Sequence, residues 1–185
     1  MSTTETLNVA AGTWDIDPVH SEVSFAARHM MVSKVRGRFT SFSGEIVTAP
    51  NFLDSTVTAT IDLTSVTTNN DQRDEHIRSS DFLHVADFPT MTYRSTGLHV
   101  EGSGDYVLEG ELTLHGVTRS VPLELEVTGS GPDAYGGTRS GFSATGSINR
   151  SDFGINISLP LDGGGVVVSE KIQIQLDIQG VLRAS

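Results

Sequence analysis

Uninterrupted period-two alternation is the feature that most limits this chain. In residues 56–63, Val57, Ala59, Ile61 and Leu63 fall on one face, with Thr and Asp on the other. Ile172, Ile174, Leu176 and Ile178 alternate in the same way with Gln173, Gln175, Asp177 and Gln179. Successive side chains of a strand point to opposite faces, so this pattern specifies half-buried strands and excludes amphipathic helices there. The same period recurs in 14–17, 23–28, 106–114 and 121–128, and residues 35–47, 90–100 and 138–149 read as further strands. Within these, Gly37 and Gly44 are expected kinks, and Gly141 and Gly146 expected weak points. Val, Ile and Thr supply 48 of 185 residues, a β-branched content that suits a pleated surface.

The pattern breaks only between 69 and 89. Asn70 or Asp71 can cap a helix there, with Asp74 and Glu75 in its first turns. One short helix is expected, near 71–79, with Asp74 and Arg78 spaced to pair at i, i+4. Asp81, Phe82 and Leu83 read as a further turn. His115 and Gly116 mark a tight turn, residues 129–133 a loop, and Gly163, Gly164 and Gly165 a flexible turn. No lysine-serine pair or helix follows the glycines, so they do not read as a phosphate loop.

This gives about eight or nine strands, one helix and no βαβ alternation. The fold class is all-β. A sandwich and a closed antiparallel up-and-down barrel compete, and sequential hairpins with short turns favour the barrel. A loose arm over 1–12 and a single domain over 13–183 are expected. Ala27, Ala59, Gly110, Ala144 and Gly146 fall on inward positions, and small residues there leave room for one elongated ligand.

Composition removes several function classes. Cysteine is absent, so disulfides, thiolate zinc, iron–sulfur clusters and a cysteine nucleophile are excluded. The net charge of −11 repels a phosphate backbone, so nucleic acid is a poor partner. By the same net charge an anionic membrane surface is disfavoured. No stretch approaches the ~20 apolar residues of a membrane helix, so no stable membrane insertion is expected. The start lacks a basic and an apolar region of a secretory signal, and the chain as given reads as cytoplasmic.

Four stretches are more specific than composition. They are Trp14-Asp15-Ile16-Asp17-Pro18-Val19-His20-Ser21-Glu22-Val23-Ser24-Phe25 with His29 following; Arg73-Asp74-Glu75-His76-Ile77-Arg78-Ser79-Ser80-Asp81-Phe82-Leu83 followed by Phe88-Pro89; Gly110-Glu111-Leu112-Thr113-Leu114-His115-Gly116-Val117-Thr118; and Ile148-Asn149-Arg150-Ser151-Asp152-Phe153-Gly154-Ile155. Their order and spacing resemble the YceI-like family of bacterial lipid-binding proteins, over about residues 13–182. The resemblance implies an extended lipocalin-like barrel whose apolar interior holds a long-chain lipid. That ligand is commonly a polyisoprenoid, in other members a quinone or a fatty-acid derivative. It also implies a homodimer and no cofactor beyond the bound lipid, and family members are often periplasmic.

An isoprenoid tail offers no hydrogen bonds and is held by removal of apolar surface from water, at roughly 25 cal/mol/Å². Alternation nominates Val23, Phe25, Phe39, Phe42, Val57, Ala59, Ile61, Leu112, Leu114, Leu123, Phe142, Ile148, Ile174 and Leu176 as its lining. The bland alternative is a solid core built from the same residues. His29 shares the parity of Val23 and Phe25 and is a candidate headgroup contact at a barrel rim. Arg73 and Arg78 are candidates to clamp a pyrophosphate or carboxylate, against the alternative that they tie the helix to the barrel. Phe82, with Leu83 and Phe88, is expected to pin the helical segment over the cavity as a lid. Asp152 is expected to pair with Arg150 or to cap the turn at Gly154.

The six histidines show no H-x-H or H-E-x-x-H spacing, and no metal is assigned; His76 and His115 are the pair that could meet in space. No Gly-x-Ser-x-Gly or paired-carboxylate motif is present, so the expected role is binding, storage or transport rather than catalysis. A structural or stress-linked protein with a filled core, and an enzyme acting on lipid through histidines, are the alternatives.

Overall fold

In a computed structural model the chain forms one all-β unit; the described residues are 9–29, 33–102, 105–156 and 169–184. Gly163, Gly164 and Gly165 lie outside them. Among the described residues there are twelve strands: β1 (Gly12–Ile16), β2 (Glu22–His29), β3 (Ser33–Phe39), β4 (Phe42–Thr48), β5 (Thr56–Asp62), β6 (Val66–Thr67), β7 (Thr90–Glu101), β8 (Asp105–Leu114), β9 (Val117–Ser120), β10 (Leu123–Pro132), β11 (Thr138–Asn149) and β12 (Lys171–Leu182). Among the described residues the single α-helix, α1, spans Asp71–Arg78 between β6 and β7.

Several of these are halves of longer strands. β12 pairs antiparallel with β1 through Trp14↔Leu182 and with β2 through Gln173↔Ala26, so β1 and β2 lie end to end along one neighbour. β4 carries on from β3, β6 from β5, and β10 from β9 in the same fashion. The result is an eight-stranded antiparallel meander that closes on itself where β1 meets β12. Full closure leaves no free sheet edge around the ring.

The breaks do not fall where the glycines suggested. Gly37 and Gly44 sit inside β3 and β4, and the chain bends instead at Thr40 and Ser41. β11 is likewise an unbroken strand of 12 residues through Gly141 and Gly146. The inward glycines make room for a neighbour's side chain. A Cβ at Gly37 would meet the Phe25 ring at 2.4 Å, one at Gly110 the Tyr93 ring at 2.3 Å, and one at Gly146 Leu123 Cδ2 at 2.6 Å. The space at Gly110 and Gly146 is therefore already filled, whereas Ala27, Ala59 and Ala144 face open cavity.

Alternate strand ends define two rims. The upper rim carries the segment 68–89, the β8–β9 turn and residues 150–156. At that turn His115 (φ 55°) and Gly116 (φ 74°) both take left-handed backbone, which suits a tight hairpin. The lower rim is closed by Trp14, which is fully buried and donates from Nε1 to Thr48 Oγ1 at 2.9 Å. Thr48 Oγ1 in turn donates to the Ala10 carbonyl at 2.6 Å, which docks the residues before β1.

A charged clasp joins two lower loops. Arg139 donates to Asp17 Oδ2 at 2.7 Å and to Asp133 Oδ2 at 3.0 Å, and His20 Nδ1 lies 2.7 Å from Asp17 Oδ2. The Arg139 hydrogen bond, then that of His20, holds the Asp17 carboxyl well below the usual carboxylate range. The Gly137 and Tyr135 amides, with Arg139, also lower that of Asp133. Because both folded values are depressed, their stabilisation is present above the unfolded pKa of about 3.9 and is lost as pH falls toward the folded values. Melting temperature is therefore expected to fall more steeply from about pH 5 to pH 2 in the wild type than in Arg139→Gln. Parallel curves for the two proteins would disprove the clasp.

Candidate lipid cavity and its upper rim

The inward faces of the meander enclose a cavity of about 360 Å³, within the range of small-molecule sites. It is lined almost wholly by aliphatic and aromatic side chains. Val23, Phe25, Phe39, Phe42, Val57, Ala59, Ile61, Leu112, Leu114, Leu123, Phe142, Ile148, Ile174 and Leu176 all line it. So do Ile16, Ile46, Tyr93, Leu108, Leu125 and Ile178, which the sequence reading did not nominate. Alternation could have nominated Leu108, Leu125 and Ile178: Leu125 and Ile178 lie two residues from the nominated Leu123 and Leu176, and Leu108 lies four from Leu112. Tyr93 was hidden by its hydroxyl. That group donates to the Val121 carbonyl at 2.9 Å, which lets the ring lie in an apolar wall. Burial, with the nearby Glu109 charge, raises its pKa.

The packing is not that of a solid core. Leu112, Leu123 and Phe142 are buried, while Phe25, Phe42, Val57, Ala59, Ile148 and Leu176 are only partly covered although they point inward. Side chains that face inside and remain partly accessible mark a space left open between opposite walls.

The cavity's basic lining residues gather at the upper rim. Arg28 lies next to the end of β2, Arg73 and His76 belong to α1, and Arg150 follows β11. Among the described residues no carboxylate lines the cavity. Arg73 donates from Nε to Thr68 Oγ1 and from Nη2 to the Thr68 carbonyl, both at 2.8 Å. Thr68 also donates from its backbone N to the buried Asp74 Oδ1 at 2.7 Å and from its hydroxyl to the same atom at 2.5 Å. Asn70 caps the helix, its side chain accepting from Arg73 N at 2.9 Å. This network fixes α1 to the end of β6 and aims Arg73 along the rim. Arg150 donates to the Ser169 and Ile155 carbonyls, which ties the start of β12 to the same rim.

Several nominated roles change. Arg78 does not line the cavity. It lies 3.5 and 3.4 Å from the Thr64 and Val66 carbonyls, so it ties the helix to the barrel, and Asp74 is engaged by Thr68 instead of by Arg78. His76 does not meet His115: it lies 2.9 Å from Asp81 and edge-on to Phe82. The imidazole near His115 is that of His84, 6.4 Å away; Phe88 contacts both rings, and His115 Nδ1 is held by the Phe153 carbonyl. Phe82 and Leu83 keep their expected place, packing on the barrel core and lining the cavity, and Phe88 covers Gly116. The Asp152 carbonyl accepts from Arg119 at 3.0 Å, an anchor the sequence did not suggest. The side chain of His29 lies outside the described residues.

A family model described as the YceI-like domain matches residues 14–180. The chain belongs to the YceI-like family. A UPF0312 protein of Vibrio cholerae is 34% identical over 175 residues, covering 94% of this chain and 88% of that one. The crystal structure of a Campylobacter jejuni YCEI protein matches with a TM-score of 0.71 and 27% identity, over 85% of this chain and 90% of that chain. A polyisoprenoid binding domain from Saccharophagus degradans matches with a TM-score of 0.69 at 18% identity, covering 94% and 100% of the two chains. The last likeness is one of fold. Within this YceI-like barrel the four motif stretches occupy β1–β2, the α1 segment, the β8–β9 hairpin and the residues after β11.

Proposed function

We propose that this YceI-like barrel binds and carries one long-chain amphiphile, a polyisoprenoid or a chain of similar apolar character such as a quinone or fatty-acid derivative, without chemical turnover. The observation that carries this reading is a closed barrel with an apolar cavity in which, among the described residues, the charged lining groups are arginines at one rim. The tail lies along the inward faces of β2 to β12, and the polar end sits near Arg73 and Arg28. Entry is at the upper rim, where the chain leaves regular pairing between 68 and 89 and fewer backbone bonds must break. The likeness in fold to a polyisoprenoid binding domain supports the reading.

The test is solvent extraction of detergent-free protein followed by mass spectrometry. One long-chain species near one equivalent per chain is expected. Bare protein that also fails to take up an added polyprenol would overturn the proposal in favour of a filled-core scaffold. Conversion of the added lipid would overturn it in favour of an enzyme.

A further inference from the structure

The net charge of −11 conceals a segregated surface. In β2 the inward residues are Val23, Phe25 and Ala27, so Arg28 ends the outward set; in β3 the outward set is Lys34, Arg36 and Arg38. Register places Arg28 opposite Lys34, Ala26 opposite Arg36 and Ser24 opposite Arg38. Lys171 on β12 lies two residues before Gln173, the partner of Ala26. Five of the twelve cations thus form one exposed strip on adjacent strands. Among the described residues none of the five lies within ion-pair distance of a carboxylate, whereas Arg94, Arg139 and Arg183 are each paired. The acids bordering the strip are Glu170 above, and Glu22 and Asp177 below. The far wall of the same outer groove carries Glu101, Glu109 and Glu124.

We infer that this strip docks the barrel, upper rim first, on an anionic lipid surface. Unpaired cations keep their field for an external partner, and each basic residue near an anionic bilayer strengthens binding roughly fivefold. Glu101, Glu109 and Glu124 on the far wall repel an anionic surface, so the contact is made from the side of the strip and the upper rim. Arg28 belongs both to the strip and to the cavity lining, which places the docked surface beside the rim through which a lipid would pass. A single-stranded nucleic acid would need aromatic platforms between its cations. The outward residues here are Ser24, Ala26, Gln173 and Gln175. The inference extends the lipid-carrier reading but is measured without it.

The experiment is sedimentation with vesicles of phosphatidylcholine alone or with about 40% phosphatidylglycerol. Wild type is expected to bind the anionic vesicles and not the neutral ones, with binding lost near 0.5 M salt. Joint replacement of Lys34, Arg36, Arg38 and Lys171 by Gln is expected to weaken vesicle binding by roughly a hundredfold or more. Melting temperature and the amount of extracted lipid should be unchanged in that variant. Arg94→Gln, on the other side of the barrel, is expected to bind as wild type does. Equal binding to both vesicle types, no binding to either, or full binding by the four-site variant overturns the inference, as does binding of oligonucleotide in place of vesicles. A wild type that sediments with anionic vesicles but neither yields lipid on extraction nor takes up added polyprenol would sink the carrier reading and leave the docking surface standing.

Discussion

Replacing Trp14 by Ala is expected to lower stability by about 3–5 kcal/mol, the cost of removing a fully buried indole, and to lower the melting temperature by roughly 6–20 °C in a domain of this size. The ring plugs the lower rim against Gly180 and joins β1 to β4 through Thr48. Thr48 keeps the Ala10 and Gly12 carbonyls as acceptors, so the loss is mainly one of packing. Trp14→Phe separates the two contributions. It retains an aromatic plug, loses the Nε1 bond, and should lose about 1 kcal/mol from that bond together with a smaller packing loss. Thermal melts of both variants decide this: a Trp14→Ala protein that melts with the wild type would show that the lower rim does not need its plug.

The second large effect is expected in the cavity itself. Ala144 lies between Leu125 and Leu176 in register and faces the opposite wall. Ala144→Trp places an indole into a cavity of about 360 Å³ and should reduce extracted or added lipid at least tenfold. Thr145→Trp puts the same side chain on the exposed face of the next residue and should leave lipid retention near that of the wild type. Filling an open cavity avoids the overpacking cost of about 1–3 kcal/mol that a solid core would impose. A strongly destabilised Ala144→Trp protein would therefore indicate that the interior is already full.

The lining was legible because parity is unforgiving. One strand residue out of register moves a side chain from the cavity to water, so Val57, Ala59 and Ile61 could not be placed otherwise. Parity is also what hid the rest. The bulge between Ser95 and Gly97 in β7 shifts the count, so Leu98 faces inward with Tyr93 despite the odd spacing between them. Arg28 carries outward parity yet lies near the end of β2 and borders the cavity at the rim. The cap of α1 by Asn70 was readable from residue type, but the Thr68–Asp74 bonds were not. They depend on where β6 stops, which follows from pairing with β3 and from no local pattern. The charge strip was missed for a different reason: net charge sums over the surface and discards position, while register restores it.

With the end-to-end halves counted as one strand, every strand neighbours the one next to it in the chain, except at the seam where residues 14–16 and 22–26 meet 180–182 and 173–177. That seam spans nearly the whole sequence, so it carries the largest loop-closure cost and is the natural last step of folding. Until it forms, the molecule is a curled open sheet with an apolar face in water and two unpaired edges able to recruit another chain. The interior is therefore a property of closure and not of any strand or hairpin. A long apolar guest that touches both sides of the seam would speed its closing, and an isolated fragment lacking either edge has no pocket to offer.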